Sequence, residues 1–102
     1  MSMMDKAKMA QKALKLQKEL KRLSIETEAG DGLVHVTAGI AISSSSMNVE
    51  IRDIKIDESA TEDLDRLQDL LASAINKANK EIMAEATEKM QAIAGGLGLP
   101  GM

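Results

Sequence analysis

The chain has 102 residues, enough for one domain near the small end of the usual range, and it contains no Phe, Tyr, Trp or Cys. The missing cysteines exclude a disulfide framework, thiol chemistry and Cys-ligated metal, and no run approaches the length of a membrane span. Net charge is −3, but residues 1–23 carry seven cations and two acids (+5), whereas residues 24–102 carry six cations and fourteen acids (−8).

That asymmetry implies a basic working surface on an acidic body. The first twenty residues carry lysines throughout and resemble no secretory signal. The chain therefore reads as soluble and cytoplasmic. A core of Leu, Ile, Val, Met and Ala alone is modest, because aromatic side chains usually supply much of the buried area. Further burial against a second copy is expected.

In chain order, Met9, Ala13, Leu16, Leu20 and Leu23 recur at spacings of 4, 3, 4 and 3, the stripe of an amphipathic helix over Asp5 to Leu23. From Ser24 to Ala29 the period switches to two, as in a half-exposed strand. Gly30-Asp31-Gly32 supplies the positive-φ residues of a tight hairpin. A second strand is predicted over Leu33 to Ile42, with Gly39 as a bulge or kink. Ser43 to Ser46 marks the tip of the next hairpin, and Met47 to Ile56 a third strand. Apolar residues on both of its faces predict packing on two sides at the far end.

Ser59 with Glu62 three residues later matches a capping box, predicting a second helix from there to about Ala94 along Leu64, Leu67, Leu71, Ile75, Ala78 and Ile82. Such a helix is about 50 Å long, whereas a compact chain of this size has a radius of gyration of about 13 Å. The helix must project or pack on another chain. Residues 1–94 thus form one α+β domain, helix, three-stranded antiparallel sheet and long helix, and the glycine-rich residues 95–102 read as a flexible tail.

Little in this chain carries chemistry. His35, the only histidine, reads as a partly exposed strand residue without a second nitrogen or sulfur ligand near it in sequence. The serines at 43–46 lack the context of an activated nucleophile, and Gly30-Asp31-Gly32 opens a strand, unlike a phosphate-cradling loop. No catalytic residue, metal, cofactor or small-molecule substrate is expected, and the protein does not read as an enzyme.

The basic helix is the informative feature. At about 100° per residue, Lys8, Lys12, Lys15, Lys18 and Arg22 fall within an arc of roughly 120° beside the apolar stripe, with Glu19 alone intruding. A lysine face is also ordinary helix surface, but balanced surfaces intersperse both signs. Point charges on flexible stems suit phosphate contacts without base reading. With no aromatic side chain to stack on bases, duplex DNA fits better than RNA or single strands.

Several stretches then follow one another over nearly the whole chain. They are Gly32-Leu33-Val34-His35-Val36-Thr37 after the hairpin turn, Ile54-Lys55-Ile56-Asp57 closing the sheet, and Leu67 to Ala78 in the second helix. Lys89-Met90 and the Gly-Leu-Pro-Gly tail come after them, and a Lys/Gln/Met-rich first helix comes before. In this order they resemble the YbaB/EbfC family of bacterial nucleoid-associated DNA-binding proteins. The resemblance implies a homodimer joined through its sheets, with helices projecting like tweezers, that binds and organises DNA in the nucleoid. The chain is several residues longer than the family pattern around Ile40 to Asn48, which would extend the hairpin or alter the dimer surface. The five cations are nominated as DNA contacts from charge alone. Rival readings are a prefoldin-like coiled-coil holdase and a protein–protein adaptor whose lysines are mere surface. A membrane-surface role for the first helix is weaker, because its apolar face has no aromatic anchor.

Overall fold

The fold is taken from a computed structural model that describes residues 3–43 and 46–96. Its elements run α1 (Met3–Arg22), β1 (Ser24–Ala29), β2 (Val34–Ile42), β3 (Met47–Ile56), a short 3-10 helix (Glu58–Glu62) and α2 (Leu64–Gly96). The three strands form one antiparallel sheet in the order β1-β2-β3. The tail from residue 97 onward lies outside the described residues.

Local chemistry explains each boundary. No Gly or Pro interrupts α1, and Asp5 in its first turn and Lys21 and Arg22 in its last complement the helix dipole. The turn after β1 holds three consecutive positive φ values, 66° at Gly30, 54° at Asp31 and 87° at Gly32, a conformation that needs glycine or a short polar side chain. The second hairpin closes where Ser43 N–H donates to the Ser46 carbonyl at 2.9 Å, and the two hydroxyls lie 2.7 Å apart. On either side of this turn the strands pair regularly, with Ile40 opposite Val49 and Ile42 opposite Met47; residues 44 and 45, within the stretch of extra length, lie outside the described residues.

Two sequence expectations need correction. The residues Ser59 and Glu62 do not cap the long helix. Asp57 caps the 3-10 turn instead, its carboxylate accepting from the Ser59 hydroxyl at 2.6 Å and the Ser59 N–H at 3.0 Å. These bonds, the hydroxyl's first, hold the Asp57 carboxyl below the usual aspartate range. Asp63 then turns extended (φ −133°, ψ 93°) and accepts from Arg66 N–H at 3.1 Å, the N-cap geometry of α2. A second acid was free to cap after the chain changed direction, and it starts the helix.

The other correction concerns β3. Its apolar residues change parity between Ile51 and Ile54 because the pairing shifts there: Thr37 faces Asp53 but Ala38 faces Ile51, leaving Arg52 as the extra residue of a β-bulge. Directly opposed residues share a face, so Met47, Val49, Ile51, Ile54 and Ile56 all lie on the helix-bearing side. The third strand does not present apolar residues to both faces, and Gly39 sits in regular strand beside the bulge.

The core forms where α2 crosses β1 and β2 and the C-terminal half of α1 closes on β2. Val34, Val36, Ala38 and Ile40 meet Ala74, Ala78, Ile82 and Ala86, with Leu20 from α1. Alanines at three of those α2 positions let the helix lie close to the strands. Close enough, in fact, for the buried Thr27 hydroxyl to donate to the Ala74 carbonyl at 2.8 Å. The molecule measures 64 × 24 × 18 Å with a radius of gyration of 18.1 Å, well above the roughly 13 Å of a compact chain this long. The helices set the long axis. β3 is an edge strand little covered by helix, and Ile54 and Ile56 are each 42% exposed.

Candidate nucleic-acid interface

Helix α1 is held at one end and open at the other. Leu16, Leu20 and Leu23 join the core, whereas residues 3–11 are exposed. Lys8, Lys15, Lys18 and Arg22 are all exposed, and among the described residues no acid lies within ion-pair distance of any of them. An unneutralised lysine or arginine on a flexible stem is free to meet a phosphate oxygen and release its counterions.

Lys12 is placed differently from the other four. It is half-buried and, with Lys15, lines a groove against Ala92 and Ile93 near the end of α2. The buried side of α1 is rotated toward Lys12 and Glu19, both half-buried, while Met9 and Ala13 at the far edge of the apolar stripe are exposed. Near Lys12 and Lys15 the helix lies beside Ala92 and Ile93 of α2, and lysine stems tolerate such a position because the ammonium can still reach water. The structure therefore brings four of the five nominated cations onto one open face and sets the fifth at its inner rim.

The outer face of the sheet contrasts with this. It carries Glu26, Glu28, Glu50 and Asp53 against Lys55 and the Arg52 guanidinium over Gly39, and His35 is half-exposed there, its Nδ1 3.2 Å from Glu26 Oε1. Among the described residues no cluster of three His, Asp or Glu is placed to hold a metal ion, and no helix is long and apolar enough to cross a membrane. The acidic side chains of this face set it apart from α1.

Arg52 escaped the sequence reading. Its side chain folds over Gly39, where the lack of a Cβ leaves room for the guanidinium, and donates to backbone carbonyls at the base of α1. The change of parity between Ile51 and Ile54, together with a glycine on the facing strand, is the signal that locates such a bulge.

A crystal structure of an uncharacterized protein from Helicobacter pylori shares this fold, with a TM-score of 0.68 over 85% of this chain and 86% of that one at 23% identity. A nucleoid-associated protein of Rhodopseudomonas palustris strain CGA009 is 40% identical over 103 residues, covering 98% of this chain and 91% of its own. A second, from strain TIE-1, is 39% identical with the same coverage. The sequence profile of the YbaB/EbfC DNA-binding family matches residues 1–97, and the chain belongs to that family.

Proposed function

We propose that this protein binds duplex DNA as a homodimer in the cytoplasm, associated with the nucleoid, chiefly through phosphate contacts from α1, and that it serves nucleoid organisation or regulation. The observation that carries the proposal is the open face of Lys8, Lys15, Lys18 and Arg22, without acidic partners among the described residues, in a chain whose remainder is acidic. Lys12 contributes from the rim. The name of the family and those of the Rhodopseudomonas relatives support DNA as the ligand. Without Phe, Tyr or Trp the protein lacks the usual platforms for stacking on bases, so the contacts position it on the backbone and sequence preference is weak.

Unrelated duplexes should bind with similar affinity at low salt. The logarithm of the binding constant should fall linearly with the logarithm of salt concentration, with a slope of roughly −0.9 per phosphate contacted. Flat salt dependence in a fluorescence-anisotropy titration would remove the phosphate reading. A light-scattering assay with an aggregating client and no DNA separates a holdase from it.

Dimerisation is supported by β3, whose outer edge has no strand partner among the described residues and whose Ile54 and Ile56 are exposed beside it. An open apolar edge is an aggregation hazard unless something covers it. A second copy would pair the edge and double the number of basic helices on one particle. Substituting Ile54→Lys with Ile56→Lys should convert the dimer to a folded monomer in sedimentation experiments. A variant that sediments as the parent does would place the interface elsewhere.

A further inference from the structure

We propose that Arg52 is the positioning residue of α1, the strut that fixes the direction of the basic helix relative to the sheet. α1 passes into β1 through Leu23 alone, with no glycine at its C-terminal end to allow a left-handed cap. Its last carbonyls need donors from elsewhere. Leu23 N–H satisfies the Leu20 carbonyl at 3.2 Å, and Arg52 supplies donors for two more. Its Nη1 donates to the Leu23 carbonyl and its Nη2 to the Lys21 carbonyl, each at 3.2 Å.

The same guanidinium is anchored in the sheet. Nη2 also donates to the Ile40 carbonyl at 3.2 Å, one residue past Gly39, where the β1 ladder ends. Nε donates to Glu50 Oε2 at 3.3 Å. One planar fork thus joins the end of a helix to two strands, a geometry a lysine ammonium cannot reproduce. Two features of the sheet serve this side chain. The bulge inserts Arg52 as an extra residue between Ile51 and Asp53, and Gly39 leaves the surface it lies on, since a methyl there would overlap the guanidinium. The side chain remains 32% exposed, so its contribution is geometric rather than that of a buried charge.

The functional consequence rests on the proposed phosphate-binding role of α1. A lysine row presented at a fixed angle meets successive phosphates together, whereas a loose helix must be ordered by the DNA at a cost in affinity. In Arg52→Met and Arg52→Lys, and independently in Gly39→Ala, residual dipolar couplings of α1 amides should shrink relative to those of the sheet, while α2 and the sheet keep a common alignment. Gly39→Ala should add nothing in the Arg52→Met background, because the seat is already empty. Duplex affinity at low salt should fall about tenfold with a shallower salt slope.

Couplings in α1 that match the sheet in the Arg52→Met or Gly39→Ala chain would overturn the strut. So would couplings restored by lysine. If α1 loosens while affinity and slope stay at parental values, and charge reversal on α1 still weakens binding, the link from strut to DNA is wrong. If charge reversal also does nothing, the phosphate reading of α1 has failed instead, and the couplings alone judge Arg52.

Discussion

A Lys15→Glu, Lys18→Glu double variant should lose duplex affinity by on the order of 100-fold or more at low salt, with the salt slope shallower by about 0.9 for each phosphate contact removed. In a dimer the pair removes up to two contacts per chain and adds repulsion at each. Both side chains are exposed and unpaired among the described residues, so stability should stay within about 0.5 kcal/mol of the parent, and circular dichroism should be unchanged. Lys12 is the wrong choice for this test, since it is half-buried in the groove against Ala92 and Ile93, whereas Lys15 at the same groove is exposed. The control is Lys6→Glu with Lys21→Glu. These residues are also exposed but project from the other side of α1, and their reversal changes net charge equally. If both double variants weaken binding to the same degree, net charge alone governs affinity and the arc of Lys8, Lys15, Lys18 and Arg22 is not the interface.

The two residues that reposition that arc show what sequence could reveal here. Period and turn chemistry made the elements legible, because burial repeats every 3.6 residues in a helix and every two in a strand, and Gly30 and Gly32 mark a turn that few other residues can make. The basic arc was legible for the same reason. What a period cannot express is how one element lies on another. Lys12 belongs to the arc by angle, yet α2 covers it, a fact set by the helix crossing. Arg52 shows the same gap from the other direction. Its contacts span 12 to 31 residues of chain, and the parity change that betrays the bulge reads as apolar residues on both faces until the register with β2 is known. The start of α2 was misplaced because Ser59 with Glu62 and Asp63 are both good caps, and only the extended backbone at Asp63 decides between them. The family resemblance, by contrast, needed no geometry, and the match over residues 1–97 bears it out.

An Ile82→Ala variant should have the largest effect on stability, about 2–5 kcal/mol, against a total of roughly 5–15 kcal/mol for a domain of this kind. Among the described residues the largest fully buried side chains are Ile40, Ile82, Val34 and Val36, and Ile82 is the one that α2 contributes. Its neighbours along the inner face of α2 are Ala78 and Ala86, both wholly buried. Small residues already bring the helix close to the strands, so it has little room to settle further and the cavity left by truncation should stay open, which puts the cost toward the upper part of the range. The melting temperature should fall by roughly 15 °C or more, measured at matched protein concentration because dimerisation contributes to apparent stability. Met83→Ala, one residue along and 41% exposed, should shift it by no more than a few degrees. A melting temperature for Ile82→Ala within a few degrees of the parent would mean that the α2–sheet contact is not the principal core. The weight of stability would then fall on surface that this single chain leaves exposed, above all Ile54 and Ile56 at the open edge of β3.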